Sequence, residues 1–436
     1  MRRFLSVLFA AAVFAGAQSS SVSAQQAKVT ADGFFRIGPV IDYAFNPIQS
    51  AALSDGVTVA TASYAPSLDY NKIRVFFTKD GKTLASHDVS VSSLEQIFSF
   101  KIVALEKNDL GIVYESHSFS AEDSVGGFYF VRVSQTGGVS VQKRVASVEK
   151  TDDGDNSLQI HASRLKNGEL ALAYERRETV KIGRLMGRNY NIFTMIIDGA
   201  GGVVSPSRLV TPIEDKKVLK FSDGARYSDT YMFGGMYYSP ESAIVTLSDG
   251  NYAIVYTDEL RKSGAFRVFS QAGAPVTNPV YVGETYRFPA GTLALKNGSF
   301  MLLYNNNHFL SGVKISGSYK DTGEGLAISP DYYTGDKDPA CVLRRPNGDL
   351  VSIYNQPDDL KQRDIRYKLL SPEGATRSDG FASKKAFDKQ RTPSCAALKD
   401  GRVFFTYYLL DANPKRNMLM GAYLTIEEAA RTAAAE

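Results

Sequence analysis

One phrase recurs along the chain and constrains its fold more than any other feature. The phrase is an apolar stretch, a turn at glycine and a tyrosine six residues after that glycine, as in "LSDGNYAIVY" at 247–256. A further copy at 105–114 has Asn108 in place of the glycine, and asparagine tolerates the same left-handed backbone. In the copy at 53–64, Tyr64 comes two residues late, which we expect to leave it on the same strand face. The remaining copies fit strictly, at 165–174, 295–304, 345–354 and 398–407.

Each copy is typical of a β-hairpin with an Asn-Gly or Asp-Gly type I′ turn. A second hairpin follows in nearly every unit, for example at 128–147 and 192–210, so the unit is four short strands. The turns at 168 and 250 lie farther apart than the others, and we expect an insertion at 214–238. Helical periodicity is nearly absent outside the ends of the chain.

Four-stranded units of about fifty residues, repeated seven times, are typical of a β-propeller. A solenoid is the alternative, but its repeats are usually shorter. The last unit, 395–426, supplies only three strands, whereas 33–41 is a spare strand before the first unit. We therefore predict an all-β fold, a seven-bladed β-propeller of four-stranded antiparallel blades, with its ring closed by the N-terminal strand.

Two cysteines occupy matching places in adjacent units. Cys341 and Cys395 each come two residues after a proline, at the start of the first strand. A disulfide between blades six and seven and a pair of buried thiols both remain open at this stage, since the geometry that a disulfide needs is narrow.

The N-terminal segment predicts export. Residues 1–24 have two arginines, a short apolar run and small residues, as in a cleaved signal peptide, leaving one domain at 25–426 and a short tail at 427–436. No apolar run reaches the roughly 20 residues of a membrane span. Basic residues exceed acidic residues by four, and two of the basic residues, Arg2 and Arg3, leave with the signal. The remaining chain is therefore close to neutral. Nucleic acid is therefore not an expected partner, and we predict a secreted or periplasmic protein.

The blades resemble those of secreted β-propeller repeat proteins, which read P-x-x-A-x-L-x-D-G-x-x-x-V-x-Y, here "SPESAIVTLSDGNYAIVY". The resemblance covers nearly all of the chain after the signal and implies a fold, not an activity. WD40, kelch and quinoprotein blades normally carry tryptophan, which this chain lacks. "FFRIGP" at 34–39 is similar to the Arg-Ile-Pro strand of sialidases, whose arginine would be Arg36, but Gly38 interrupts that motif.

Polar residues follow the tyrosines of several repeats. In such a blade the first turn lies on one face of the disc, here called the tip face, and the segments after the tyrosines lie on the opposite face, beside the channel mouth, here called the mouth face. We expect the tyrosines to pack between blades. Candidate ligand-binding residues on the mouth face are Glu115, His117, Glu175, Arg176, Asp258, Glu259, Asn305, His308, Asp358, Arg287 and Arg391.

Hydrogen-bonding side chains around a shallow mouth suit a glycan or an extracellular protein as ligand. The plainer explanation is that loops are polar because they face water. The leading prediction is a recognition module. A polysaccharide lyase or glycoside hydrolase at the channel mouth is the alternative, and a structural component of an extracellular assembly is another. No cofactor motif is present, and "DDGDN" at 152–156 lacks the spacing of a calcium loop, so we expect no cofactor and no metal.

Overall fold

The fold is described here from a computed structural model. The structure describes residues 27–42, 48–65, 71–118, 126–148, 160–182, 185–211, 242–258, 263–282, 289–306, 309–329, 340–357, 363–383, 390–410 and 416–427. Within these residues, every regular element is a β-strand except a single short turn of 3-10 helix at Glu106–Asn108. The strands form seven four-stranded antiparallel sheets, which confirms the predicted fold class.

Four sheets come from the first part of the chain after the N-terminal strand β1 (Lys28–Asp42). Blade 1 contains β2 (Gln49–Ala52), β3 (Val59–Tyr64), β4 (Lys72–Lys79) and β5 (Lys82–Ser90). Blade 2 contains β6 (Glu95–Ala104), β7 (Asp109–Ser118), β8 (Gly126–Ser134) and β9 (Gly138–Val148). Blade 3 contains β10 (Ile160–Arg164), β11 (Leu170–Ile182), β12 (Leu185–Ile197) and β13 (Val203–Leu209). Blade 4 contains β14 (Ser242–Thr246), β15 (Tyr252–Asp258), β16 (Ser263–Phe269) and β17 (Val280–Val282).

The remaining strands complete three further blades. Blade 5 contains β18 (Pro289–Ala294), β19 (Phe300–Asn306), β20 (Phe309–Ile315) and β21 (Asp321–Ser329). Blade 6 contains β22 (Cys341–Arg344), β23 (Leu350–Pro357), β24 (Arg363–Leu370) and β25 (Thr376–Ser383). Blade 7 contains β26 (Gln390–Ala397), β27 (Val403–Leu410), β28 (Arg416–Glu427) and β1.

The N-terminal strand closes the ring, as predicted. β1 pairs antiparallel with β28 from Lys28 opposite Glu427 to Asp42 opposite Arg416 and is the outermost strand of blade 7. The first strands of the blades contact one another in sequence around the ring, and β26 of blade 7 contacts β2 of blade 1. Closure therefore leaves no blade without a neighbour on either face.

Apolar side chains pack between blades. The described residues form seven separate buried clusters, one at each interface between neighbouring blades. Six of the seven repeat tyrosines lie in them, as predicted, and the seventh, Tyr304, is half-buried. Tyr174 packs against Phe128 of blade 2, and Tyr256 is buried with Ile192 of blade 3. Two of the tyrosine hydroxyls bond within the blade: Tyr174 donates to Ser207 at 2.6 Å, and Tyr114 accepts from Gln142 at 2.7 Å.

The prediction that all of the repeat turns are type I′ was wrong. A type I′ turn needs positive φ at both central residues, and only the turns at Lys107-Asn108 and Asn297-Gly298 have it. In the others the glycine alone has positive φ, and its N–H donates to the carbonyl three residues earlier, as Gly168 does to Leu165. These are type I turns followed by a left-handed glycine, a common form of three-residue hairpin loop.

The prediction that Tyr64 lies on the same face as the other repeat tyrosines was also wrong. The first turn is one residue longer than the third: Leu53 N bonds to Thr58 O, whereas Leu165 N bonds to Glu169 O. One extra residue moves every following side chain to the opposite face of a strand. Tyr64 therefore packs toward Phe100 of blade 2, whereas the other repeat tyrosines pack toward the preceding blade.

A disulfide joins two neighbouring blades, and the last strand extends into the predicted tail. Cys341 on β22 and Cys395 on β26 form a disulfide between the first strands of blades 6 and 7. Strand β28 continues to Glu427, so the first residue of the predicted tail belongs to the sheet. The predicted signal, most of the tail and the insertion at 214–238 lie outside the described residues.

Candidate functional site

On the mouth face, several second strands continue beyond their tyrosines. β7 runs to Ser118, four residues past Tyr114, and β11 runs to Ile182, where it pairs with Leu185. Glu115, which we predicted to lie in a loop, pairs with Phe128 inside the sheet. The loop assignment was wrong because the hairpin ladder of blades 2 and 3 extends past the core.

The structure places the other predicted site residues in two groups. His117, Glu175, Arg176, Asp258, Asn305 and Arg391 also lie on strands, at the mouth ends of β7, β11, β15, β19 and β26. Glu259, His308, Asp358 and Arg287 lie outside the described residues. The ligand-binding role of every one of these residues stays a prediction.

Glu115 and Glu175 occupy the same position in neighbouring blades, directly after the repeat tyrosine. Both are completely buried, with 0% of their surface exposed. On each strand the apolar side chain two residues earlier, Val113 or Ala173, packs toward the following blade. Because alternate residues of a strand share a face, the glutamates face the following blade as well. Their burial means that neither carboxylate lies at the surface of the mouth.

Glu115 is paired within its own strand. His117 Nε2 lies 2.5 Å from Glu115 Oε1, and Ser99 Oγ donates to Glu115 Oε2 at 3.5 Å. The imidazole packs edge-on against Phe98, with 5.2 Å between ring centroids. A buried carboxylate is costly unless such partners satisfy it. The histidine, the serine and the glutamate therefore form one hydrogen-bonded group at the mouth end of blade 2.

The His117 ring depends on a glycine across the sheet. A Cβ atom at Gly126 would lie 2.2 Å from His117 Nδ1, which is far inside van der Waals contact. We expect Gly126→Ala to displace the imidazole from Glu115 and to lower the free energy of unfolding by about 1–3 kcal/mol. Chemical denaturation of the purified variant measures this change.

Gly325 on β21 provides the matched control for Gly126. No atom lies within 4 Å of a Cβ atom at that position, so Gly325→Ala should change the stability by less than about 0.5 kcal/mol. Equal effects of the two substitutions would contradict a specific packing of His117 on Gly126.

Two buried polar residues of the mouth were missed from the sequence. Asn355 and Tyr408 directly follow the repeat tyrosines of blades 6 and 7, the position that Glu115 takes in blade 2. Burial raises the pKa of Tyr408 to about 12, so its hydroxyl stays protonated at neutral pH. The available signal was positional: reading the residue after each repeat tyrosine would have found both.

Two basic side chains lie on neighbouring first strands, Lys101 on β6 and His161 on β10. Burial lowers the pKa of Lys101. Burial, together with the positive charge of Lys101, lowers the pKa of His161 well below its usual value. His161 is therefore neutral at pH 7. Neither residue stood out in the sequence, because each is a single basic residue in an otherwise ordinary strand.

The described residues contain no group of three or more His, Cys, Asp or Glu side chains placed to hold a metal ion. Among the same residues, no helix has both the length and the apolar character that crossing a membrane requires.

No protein-family model matches the chain, and no curated protein matches it. Solved structures do resemble it. A protein of unknown function from Dyadobacter fermentans is 12% identical, with a TM-score of 0.46, over 77% of this chain and 96% of its own. An α-L-arabinanase from Penicillium chrysogenum is 12% identical, with a TM-score of 0.46, over 90% and 98%. The NanB sialidase from Streptococcus pneumoniae is 8% identical, with a TM-score of 0.47, over 89% and 68%. At these identities and scores the likeness does not extend to an activity.

Proposed function

We propose that the protein is a recognition module that binds a glycan on its mouth face. The observation that carries the proposal is the complete burial of Glu115 and Glu175. Hydrolysis of a glycosidic bond by paired carboxylates requires both groups to reach that bond. A carboxylate with no exposed surface does not reach a ligand, so these glutamates support the mouth rather than perform chemistry in it.

The two faces of the disc differ in a way that favours the mouth as the binding face. On the tip face, neighbouring turns bond to one another: Ser54 donates to Asn108 at 2.9 Å, and Lys399 N donates to Gly56 O at 2.8 Å. Polar groups of these turns are thus used to join one blade to the next. On the mouth face, buried polar side chains such as Glu115 and Asn355 lie at the strand ends from which the connecting segments begin.

Those connecting segments have the composition that a sugar ligand needs. The segments that follow the tyrosines include Glu259, His308 and Asp358, and the segments before the first strands include Arg287. Carboxylate, imidazole and guanidinium groups hydrogen-bond to sugar hydroxyls and give a site its orientation and specificity. The buried polar side chains at the strand ends, such as Glu115 and Asn355, are held in the scaffold before a ligand arrives, which reduces the ordering cost of binding.

A glycan array with the purified protein tests the proposal. We expect a defined subset of glycans to be retained, and we expect Glu259→Ala and Asp358→Ala each to weaken retention about three- to tenfold, since a single lost hydrogen bond costs roughly a kilocalorie. Lys320→Ala, which removes an exposed charge in the second hairpin of blade 5, is the control and should leave retention unchanged.

Each retained glycan is then incubated with the protein and examined for new reducing or unsaturated ends. Recognition predicts that no such ends form. Their appearance would establish an enzyme instead, and the absence of any retained glycan would overturn the proposal.

A further inference from the structure

An ion pair joins blades 2 and 3 on the tip face. Arg164, the last residue of β10, lies 2.8 Å from the carboxylate of Glu106 in the turn of blade 2. Arg164 Nη2 lies 3.8 Å from the position of a Cβ atom at Gly168, and Glu106 Oε1 lies 3.3 Å from the same position. These distances fix where the two groups lie relative to the turn of blade 3.

The interface between blades 5 and 6 repeats this geometry with different charges. The turn of blade 5 has the same form as that of blade 2, with Leu295 N bonded to Ser299 O as Leu105 N is to Asp109 O. Lys296 therefore occupies the position of Glu106. In blade 6, Arg344 takes the place of Arg164: Arg344 Nη2 lies 3.7 Å from the position of a Cβ atom at Gly348. Two cations thus stand where the other interface has an ion pair.

A cavity of about 360 Å³ lies at this interface, lined by Lys296 and Arg344 together with Ser248, Asp249, Leu295, Asn297 and Gly298. Among the described residues, neither the Lys296 ammonium nor the Arg344 guanidinium makes a hydrogen bond or an ion pair. Each of the other six pairs of neighbouring tips is joined by at least one hydrogen bond or ion pair between described residues.

The side of the cavity formed by blade 4 carries oxygen atoms. The Asp249 carboxylate accepts from Tyr319 Oη at 2.6 Å and from Asn251 Nδ2 at 3.1 Å, which holds it in one orientation. Ser248 Oγ accepts from Gly298 N at 2.7 Å and keeps its own proton for a further partner. The cavity is therefore cationic at blades 5 and 6, and at blade 4 it carries one anionic carboxylate and one hydroxyl, both of which can bond to ligand hydroxyls.

We propose that this cavity binds a sugar carboxylate, a hexuronic acid residue, independently of the mouth face. The carboxylate lies between Lys296 and Arg344 in the cavity and supplies the negative charge that Glu106 supplies between blades 2 and 3. The ring hydroxyls bond to Asp249 and Ser248. Charge-assisted pairs of this kind are about twice as strong as neutral hydrogen bonds, and the volume lies within the range of small-ligand pockets.

Titration calorimetry of the full chain with glucuronate, glucose and inorganic phosphate tests the assignment. We expect glucuronate to bind at least tenfold more tightly than glucose or phosphate. Lys296→Glu creates between blades 5 and 6 the kind of ion pair that Glu106 and Arg164 form between blades 2 and 3. The variant should therefore bind glucuronate at least tenfold more weakly. The new pair with Arg344 should also raise the melting temperature by about 1 °C.

Lys82→Glu is the matched control, because it makes the same charge change at an exposed residue of blade 1. It should leave glucuronate binding and the melting temperature unchanged. Three results would overturn the proposal: wild-type protein that does not bind glucuronate, equal binding of glucuronate and phosphate, or a Lys296→Glu variant that binds glucuronate as the wild type does.

Discussion

Replacing both Cys341 and Cys395 with serine should lower the free energy of unfolding by about 2–4 kcal/mol. The bond joins the first strands of blades 6 and 7 across a sequence separation of 54 residues. Without it, the unfolded chain gains the freedom that this loop closure removes, and the folded ring keeps only its side-chain packing at that interface. Urea denaturation of oxidised wild type and of the double variant measures the difference.

The single variants and a reductant provide the controls for the disulfide. Cys341→Ser alone should be about as destabilised as the double variant, because either substitution removes the whole bond. Reductant should destabilise the wild type by a similar amount and should leave the double variant unchanged. A wild-type protein that is insensitive to reductant would show that the bond adds nothing to the stability of the ring.

Replacing Ile37 of β1 with alanine should cost about 2–4 kcal/mol of stability. Ile37 is 4% exposed and belongs to the cluster between blades 7 and 1, with Phe76 and Phe404. Its carbonyl also accepts from Thr83 of blade 1 at 2.9 Å. The strand thus joins the last blade to the first, and a cavity at Ile37 weakens the closure of the ring.

Phe34 on the same strand is the control for Ile37. Phe34 is 47% exposed, so its replacement by alanine removes a larger side chain but should cost less than about 1 kcal/mol. Thermal or urea denaturation of the two variants compares them directly. If Phe34→Ala were the more damaging of the two, β1 would not be held in the ring by the face that carries Ile37.

The architecture followed from the sequence because its signals are local and repeated. A turn glycine and a tyrosine at a fixed distance define a hairpin, and the missing strand after β28 matched the spare strand at 33–41. The turn type was misjudged because Asp-Gly and Asn-Gly also suit a type I turn with a left-handed glycine. Tyr64 was misplaced because one of its two extra residues lies in the loop, and only an even shift along the strand preserves the face.

The candidate site was harder to predict because its residues are brought together only by the ring. Glu115 and Glu175 resemble loop acids in sequence, but the length of β7 and β11 places them inside the sheet, where burial changes their role. The cations Lys296 and Arg344 belong to different repeats, and each is an ordinary surface residue by itself. Only the packing of blade 5 against blade 6 brings them to one cavity, and that packing is not visible in the sequence of either repeat.

Hydrogen–deuterium exchange of the full chain, with and without the glycan that the array retains most strongly, tests the proposed mouth-face binding most directly. Binding on the mouth face predicts that the glycan slows amide exchange in the segments that follow the second strands, such as 66–70, 119–125 and 259–262. The tip turns at 53–58, 165–169 and 398–402 should exchange as they do in the free protein. Added protection confined to those tip turns, or none anywhere, would contradict binding on the mouth face.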